Sequence, residues 1–491
     1  MPFVTYEPYL LLFLSSALGS YLLTPLVKRA ALRLNVVDRP GVRKIHDKSI
    51  PLLGGLGIFV SFGFLIGCCV LFENPVRAMF LEEARHLSGI VLCGLVALLL
   101  GVYDDARGAD ATKKFSVQIG AAILAFALGF RIEGVSLGPW GSIDLGVLSL
   151  PFTILWIVGI TNAINLIDGM DGLAAGVTLF VCIGNFFVSL VLGNVVMSLL
   201  SVTLAGALVG FLRYNFPPAT IFLGNTGSLF LGIVVALVSV LSAQKSSTMV
   251  MMLIPIAALG LPILDTFLAV FRRSLLGRPI FVSDKGHIHH ALLRLGLTHR
   301  KAVLVLYGFC ILLLGFATVV LLNKSAEAAI YLGVIAVVLV VGMRILGYLD
   351  YEKLRRALSN RWRYRVKNVF CRLMLLKIRN VQTVNELWKL LVEAAAEFEV
   401  DNVELSLNGG VGDSVRQWVN GDNHHTGAQS RPHDRRMQQY DLPRHLGRLT
   451  LSYCRSADED FEVERNYRLE LIGQATERRL CGLLSVAGAQ T

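Results

Sequence analysis

The sequence predicts an all-α polytopic membrane protein with ten or eleven transmembrane helices and a small soluble α+β C-terminal domain. The 491 residues are 54% hydrophobic and only 16% charged, unlike an ordinary soluble protein. Apolar runs long enough to cross about 30 Å of hydrocarbon recur through the first 350 residues. The predicted spans are 8–27, 54–72, 87–103, 116–130, 150–166, 173–192, 195–212, 228–243, 249–271, 302–322 and 327–348.

The distribution of lysine and arginine predicts the orientation. These residues concentrate in the loops 28–53 and 272–301, whereas the loops on the opposite side carry few. Because basic loops stay in the cytoplasm, we expect the N-terminus outside and the C-terminus in the cytoplasm. The first apolar run lacks a preceding basic segment, so we interpret it as a retained span and not as a signal peptide. The net charge of +11 fits this bias and also fits anionic substrates.

The composition predicts a membrane domain at 1–348, a basic amphipathic juxtamembrane helix at 349–380 and a cytoplasmic accessory domain at 381–491. In the juxtamembrane segment, apolar residues recur mainly at four-residue intervals, as on one face of a helix. We expect this helix to lie along the lipid headgroups, and nucleic-acid binding is much less favoured. The recurring residues are Tyr351, Leu354, Leu358, Trp362, Val366 and Phe370.

The accessory domain shows helical patterns at Val384–Phe398 and Arg465–Leu484, and alternating strand patterns at Val403–Leu407 and Arg448–Tyr453. Residues 408–440 are rich in Gly, His, Arg and Gln, which predicts a mobile loop. No catalytic pattern occurs in this domain, so a sensory or docking role for a cytoplasmic protein partner is the interpretation.

Asp104 and Asp105 stand where an apolar segment leaves the membrane. Adjacent carboxylates repel each other and are costly to desolvate near a bilayer unless a cation compensates them. Mg2+, which prefers carboxylates together with phosphate oxygens, is the expected cation. Arg107, Asp110, Lys113 and Lys114 follow within a few residues. A solvated acidic loop is the alternative for such a pair taken alone.

A second polar stretch, 162–172, lies between two spans. Asn165, Asp168 and Asp171 stand three residues apart, so in helical geometry they share one face. Helix capping is the alternative explanation for the aspartates. Two carboxylates with amides at the membrane edge favour a polar substrate or a metal.

Three further stretches on the same predicted side are suited to binding phosphate. They lie in loop 28–53, at residues 222–228 and in loop 272–301. Residues 222–228 form a Gly-rich turn before a span, where free N–H groups attract anions. Histidines near basic residues favour phosphate recognition over a zinc site, which would need thiolate or carboxylate ligands. The basic and histidine residues concerned are Arg43, Lys44, His46, Arg278, His287, His289 and His290.

Taken in order, these motifs resemble the polyprenyl-phosphate N-acetylhexosamine-1-phosphate transferases over about residues 1–345. The His-Ile-His-His form at 287–290 resembles the GlcNAc-1-phosphate (WecA-type) transferases more than the peptidoglycan enzyme that transfers phospho-N-acetylmuramoyl-pentapeptide. The motifs are Arg43-Lys44-x-His46, Pro51-x-x-Gly54-Gly55, Asp104-Asp105, Asn165-Leu166-x-Asp168-Gly169-x-Asp171-Gly172, Phe222-x-Gly224-x-x-Gly227-Ser228, Pro262-x-x-Asp265 and His287-Ile288-His289-His290.

The resemblance implies transfer of an N-acetylhexosamine 1-phosphate from a UDP-sugar to undecaprenyl phosphate at the bacterial inner membrane, with release of UMP and initiation of cell-surface polysaccharide synthesis. It implies a Mg2+ site at Asp105 and Asn225, and a catalytic set of Asp104, Asp105, Asp168, His287, His289 and His290. Asp104 would orient or deprotonate the attacking phosphate, and an aspartyl-phosphate at Asp104 is the alternative. The implied substrate-binding residues are Arg43, Lys44, His46, Lys113, Asn165, Asp171 and Arg278.

Asn225 departs from the family pattern, which has Asp at this position. Losing a carboxylate lowers the expected metal affinity, so a weakened enzyme or an inactivated membrane scaffold is an alternative function. A lipid transporter is less favoured, because the sequence shows no internal repeat and its polar residues cluster at one interface. A homodimer is a further expectation.

Overall fold

The computed structural model describes residues 6–38, 49–136, 142–246, 260, 292–293, 295–322, 361–407, 414–419, 435–442, 447–454 and 459–487. The predicted spans 249–271 and 327–348 lie outside the described residues. The same holds for several predicted site residues, namely Arg43, Lys44, His46, Arg278, His287, His289 and His290. The chain folds into two compact units, a membrane unit and a C-terminal unit, which divide near Glu352.

Every predicted span within the described residues coincides with a helix of the membrane unit. Seven of the described helices are long and apolar enough to cross a membrane, namely α1, α2, α4, α6, α7, α8 and α9. The chain is therefore a multi-pass membrane protein. The helices are α1 Glu7–Arg33, α2 Gly54–Leu71, α3 Arg77–Glu82, α4 Ala84–Arg107, α5 Ala111–Ala127, α6 Ser149–Ile167, α7 Leu173–Val191, α8 Val195–Asn215, α9 Gly224–Ser246 and α10 His299–Leu322. Short antiparallel pairs join β1 Val37–Asp38 to β2 Ile50–Pro51 and β3 Gly134–Ser136 to β4 Ser142–Asp144.

Helix α9 lies at the centre of the membrane unit. It is apolar on all sides and almost fully buried, as expected for a core helix. Helices α4, α6 and α2 pack around it, and α8 packs between α1 and α7. Helix α1 instead exposes a row of leucines, including Leu10, Leu14 and Leu18, each more than half exposed. A peripheral helix with an apolar outer surface suits contact with lipid.

Glycines allow three helix ends to meet at one place. A Cβ on Gly101 of α4 would lie 2.4 Å from the carbonyl oxygen of Asn225, at the start of α9. A Cβ on Gly55 of α2 would lie 2.2 Å from the Cα of Gly227. The ends of α2, α4 and α9 therefore approach more closely than any larger residue would allow.

The aspartate pair occupies the last turn of α4, and not a loop as the sequence suggested. The helix ends at Arg107 and is followed by Gly108, whose positive φ of +73° favours glycine. The Gly108 N–H donates to the Asp104 carbonyl at 2.8 Å. The aspartates are therefore held by regular helical backbone, which fixes the directions of their side chains.

The C-terminal unit is an α+β domain, as predicted. It contains α11 Arg361–Asn380, α12 Val384–Glu397, β5 Asn402–Leu407, β6 Ser414–Val419, β7 Arg435–Leu442, β8 Gly447–Cys454 and α13 Glu459–Ala487. The four strands form one antiparallel sheet in the order β6-β5-β8-β7. Buried Val403 and Leu405 pair with buried Leu451 and Leu449, so the central strands supply an apolar face to the core.

The prediction of a mobile loop over 408–440 is wrong for its described parts, because β6 and most of β7 lie there. Both are edge strands of the sheet. Edge strands of soluble sheets carry many polar and charged residues, and β7 (RRMQQYDL) shows almost no apolar alternation. The composition of residues 408–440 is therefore as polar as that of a loop, although parts of this segment form edge strands.

Candidate active site

Polar side chains from four helices converge at one end of the membrane unit. They come from the last turn of α4, the first turns of α5 and α9, and the last turn of α6. Asp105 on α4 is central to this cluster. Its Oδ1 accepts hydrogen bonds from the backbone N–H and the side-chain Nδ2 of Asn225, at 2.9 and 3.0 Å. Its Oδ2 accepts from the backbone N–H and the Oγ1 of Thr226, at 3.0 and 2.7 Å.

These four bonds make Asp105 a cap for α9, supplied from another helix. The first N–H groups of a helix have no partner within the helix, and a carboxylate there also interacts favourably with the helix dipole. The backbone approaches this closely because Gly224, with a φ of +71°, begins the helix. A Cβ at Gly224 would lie 2.5 Å from Asp105 Oδ2.

Asn225 connects Asp105 to Asn165 on α6. The Asn225 Nδ2 faces the Asp105 carboxylate, and the Asn225 Oδ1 accepts from Asn165 Nδ2 at 2.8 Å. Asn165 Nδ2 also donates to Ser228 Oγ at 2.8 Å. The amide supplies both a donor toward Asp105 and an acceptor toward Asn165, which an ionised carboxylate could not do, so the side chain at position 225 matches its surroundings in this chain.

Asp104 is buried and forms an ion pair with Lys114 of α5. Its Oδ1 accepts from the Ala109 backbone N–H at 2.7 Å. Lys113, which the sequence suggested for substrate binding, lies 3.8 Å from Asp110, and both of these side chains are exposed. The structure therefore brings Lys114, and not Lys113, to the aspartate pair.

The substrate-binding prediction named Lys113, although the sequence contains a signal that favours Lys114. Lys114 and Gln118 are four residues apart on α5 and therefore share one helical face. Gln118 is buried, and its Oε1 accepts from Asn162 Nδ2 of α6 at 2.7 Å. A buried polar residue one turn beyond a lysine indicates which of the two adjacent lysines faces the site.

The predicted helical face shared by Asn165, Asp168 and Asp171 does not form, because α6 ends at Ile167. Residues 168–172 make a turn that is bound to the loop after α8. Asp171 Oδ2 accepts from the Ala219 N–H at 2.9 Å. In addition, Tyr307 of α10 donates its hydroxyl to the Gly172 carbonyl at 2.5 Å. Asp171 therefore stabilises this turn.

Asp168 differs from its neighbours, because within the described ranges its carboxylate has no hydrogen-bond or ion-pair partner. Some solvent access remains at this side chain. The surrounding protein desolvates the carboxylate and raises its pKa well above the ordinary value, and the charges of Asp105 and Asp171 raise the pKa further. An uncompensated carboxylate in such a place suits a bound cation or a proton.

The described residues do not fit a Mg2+ site at Asp105 and Asn225. Each Asp105 oxygen already accepts two hydrogen bonds, and the Asn225 oxygen accepts one from Asn165. In the part of the chain that the structure describes, no three His, Cys, Asp or Glu side chains converge to hold a metal. Asp168 is the carboxylate there for which neither oxygen has a hydrogen-bond or ion-pair partner within the described ranges.

The fold and this cluster define a polytopic membrane protein with a compact set of charged and amide groups at its helix ends. Residues 87–243 match the model of glycosyl transferase family 4, and this range contains Asp104, Asp105, Asn165, Asp168 and Asn225. With the relatives described next, that match shows that the chain belongs to glycosyl transferase family 4.

The alignments with curated relatives cover most of the length of each relative. The chain is 40% identical over 337 residues to a probable undecaprenyl-phosphate N-acetylglucosaminyl 1-phosphate transferase of Bacillus subtilis, covering 68% of this chain and 90% of the relative. It is 33% identical over 348 residues to a decaprenyl-phosphate N-acetylglucosaminephosphotransferase of Mycobacterium tuberculosis, covering 66% and 85%. A phospho-N-acetylmuramoyl-pentapeptide-transferase of Staphylococcus aureus is 28% identical over 301 residues, covering 58% and 89%.

Proposed function

We propose that this chain transfers N-acetylglucosamine 1-phosphate from UDP-N-acetylglucosamine to undecaprenyl phosphate and releases UMP. The observation that carries this proposal is the 40% identity to the Bacillus subtilis relative, which spans 90% of that protein. The lower identity, 28%, to the pentapeptide transferase favours N-acetylglucosamine 1-phosphate over phospho-N-acetylmuramoyl-pentapeptide as the transferred group.

In the proposed reaction, an oxygen of the lipid phosphate attacks the β-phosphorus of the UDP-sugar. The bond between that phosphorus and the bridging oxygen breaks, and its electron pair leaves with UMP. The product is a lipid-linked sugar pyrophosphate, so phosphorus and charge balance. Both reactants are anions, so positive charge must be positioned in advance at the site.

The described residues support distinct roles in this reaction. We assign Asp104, with its Lys114 ion pair, to orienting the lipid phosphate and accepting a proton from it. Asp105 then acts as a positioning residue, because its carboxylate is fully engaged at the start of α9. Transfer of the phosphosugar through a covalent bond to Asp104 remains the second route.

We retain the requirement for Mg2+ as part of the proposal, with Asp168 as the described ligand in place of Asp105 and Asn225. When bound, Mg2+ would neutralise charge on the pyrophosphate. Asp168 supports this assignment because its carboxylate lacks a protein partner in the described ranges and stands near two other carboxylates.

The distribution of basic loops supports a site that faces the cytoplasm, where UDP-sugars are present. The bacterial relatives support a location in the bacterial plasma membrane. The alternatives of an inactive scaffold and of a lipid transporter are not favoured, since the relatives are named as transferases. The two hydrogen bonds of the Asn225 amide support a structural role for this residue in an active enzyme.

The direct test is UMP release by the purified full-length chain in detergent. We expect release only when undecaprenyl phosphate and UDP-N-acetylglucosamine are both present, and little release with UDP-N-acetylmuramoyl-pentapeptide. The Asp104→Asn variant is the inactive control. Release that is equal without the lipid phosphate would contradict the transferase proposal.

A further inference from the structure

Helix α11 of the C-terminal unit carries two opposite apolar faces. The first face belongs to the core of that unit, where Cys371, Met374 and Ile378 are buried. On the same side, Lys367 Nζ lies 3.3 Å from Glu399 Oε1. These contacts fix the rotation of α11 about its axis, so the opposite face is held outward.

The second face, here called the outer face of α11, is apolar and exposed. Its residues follow one another at intervals of four and three positions, which places them on one side of the helix. Their exposed fractions range from 47% for Val366 to 75% for Trp362. A continuous exposed apolar stripe of this kind indicates a surface that contacts a membrane or another molecule. The outer face consists of Trp362, Val366, Val369, Leu373 and Leu376.

The positive charge of α11 favours an anionic phospholipid surface over a second copy of the helix as the binding partner of the outer face. The helix contains five arginines, two lysines and no acidic residue. Exposed Arg372, Lys377 and Arg379 lie beside the outer face. Pairing the outer faces of two copies would bring the exposed Arg372 and Arg379 of each copy toward each other, which opposes pairing. An anionic phospholipid surface complements both the charge and the apolar stripe.

We propose that the outer face of α11 lies on anionic phospholipid headgroups, with its apolar stripe inserted at the boundary of the acyl chains. The domain would then be held at the membrane surface by α11 in addition to its covalent link. The reaction assigned to the membrane unit is not needed for this binding.

Trp362 provides the probe. The full-length chain is placed in nanodiscs of phosphatidylcholine alone, or of phosphatidylcholine with phosphatidylglycerol, each with and without brominated acyl chains. The chain has five tryptophans, so the Trp362 signal is the difference between the wild type and Trp362→Phe. In anionic discs we expect emission shifted to shorter wavelength and at least about twofold quenching by brominated lipid, as for an indole at the interface.

Two double variants separate this face from total charge. Arg372→Glu/Arg379→Glu should lose most of the quenching. Lys389→Glu/Arg478→Glu makes the same charge change at exposed positions of α12 and α13 and should keep it. Three results would overturn the proposal: a water-exposed Trp362 in anionic discs, a shifted emission without quenching, which indicates a second copy, or equal loss in both double variants.

Discussion

Asp105 and Asn225 are 120 positions apart in the sequence and are joined by two hydrogen bonds, of 2.9 and 3.0 Å, from the Asn225 backbone and side-chain nitrogens. The same asparagine accepts a hydrogen bond from Asn165. One amide therefore links α4, α6 and α9 at the site. A carboxylate at position 225 would turn the donor that faces Asp105 into an acceptor of like charge.

Asn225→Asp should therefore destabilise the protein when no divalent ion is present. Replacing a partly buried donor with an unpaired acceptor costs about 1–3 kcal/mol before repulsion is counted. Each 1 kcal/mol lowers the melting temperature by about 2–4 °C for domains of 150–250 residues. Thermal unfolding in detergent with EDTA measures the change, and UMP release should fall in parallel.

Asn162→Asp is the matched control, since this asparagine lies on α6 beside the site and its amide contacts Gln118 and not a carboxylate. Its melting temperature should fall less than that of Asn225→Asp. If Asn225→Asp is instead more stable than the wild type, or is the variant with activity while the wild type has none, the role given to the amide is wrong.

Lys114→Ala should reduce UMP release at least about tenfold, because it leaves the buried Asp104 charge without its cation. Lys113→Ala removes an exposed lysine and should stay within about twofold of the wild type, as exposed ion pairs contribute little. The kinetics of the two variants under identical conditions decide between the lysines. A larger loss in Lys113→Ala would reverse the assignment.

Asp168→Asn should stabilise the metal-free protein near neutral pH while lowering activity. The pKa of Asp168 is raised on folding, so the native state binds more protons than the unfolded state between the two pKa values. Stability contributed by this group is therefore present at low pH and is lost as pH rises through that window. Because asparagine does not ionise, the stability of Asp168→Asn should not fall for this reason as pH rises through the window.

Mg2+ supplies a second measurement on the same variant. If Asp168 holds the ion, Mg2+ should raise the melting temperature of the wild type and have little effect on Asp168→Asn. EDTA should then abolish UMP release by the wild type. An equal Mg2+ shift in both proteins would place the ion on other residues.

Apolar length and periodicity were sufficient to predict the long helices of the described part of the membrane unit and their approximate ends, but not the short helix α3. The order of polar motifs also predicted that Asp104, Asp105, Asn165 and Asn225 belong together. Hydrogen-bond partners were not predictable, because the Asp105–Asn225 contact depends on glycines that let α4 and α9 approach. The rotation of α5 about its axis places Lys114 at the site instead of Lys113. This rotation depends on the residue at which the helix begins.

The elements of the C-terminal unit were predicted less completely than the long helices of the membrane unit. The central strands β5 and β8 carry alternating buried residues and were predicted, whereas the polar edge strands β6 and β7 were not. On α11, the apolar positions Trp362 and Val366 were recognised as one face, but the sequence did not reveal that a second face, with Met374 and Ile378, packs into the domain.

In the proposed reaction a phosphosugar, and not the sugar alone, moves to the lipid. The most direct measurement uses UDP-N-acetylglucosamine carrying radioactive phosphorus at the β position, incubated with the purified chain and undecaprenyl phosphate. The account predicts label in the lipid fraction and unlabelled UMP in solution, with neither formed by Asp104→Asn. Label that remains in water-soluble UDP while sugar enters the lipid would contradict it.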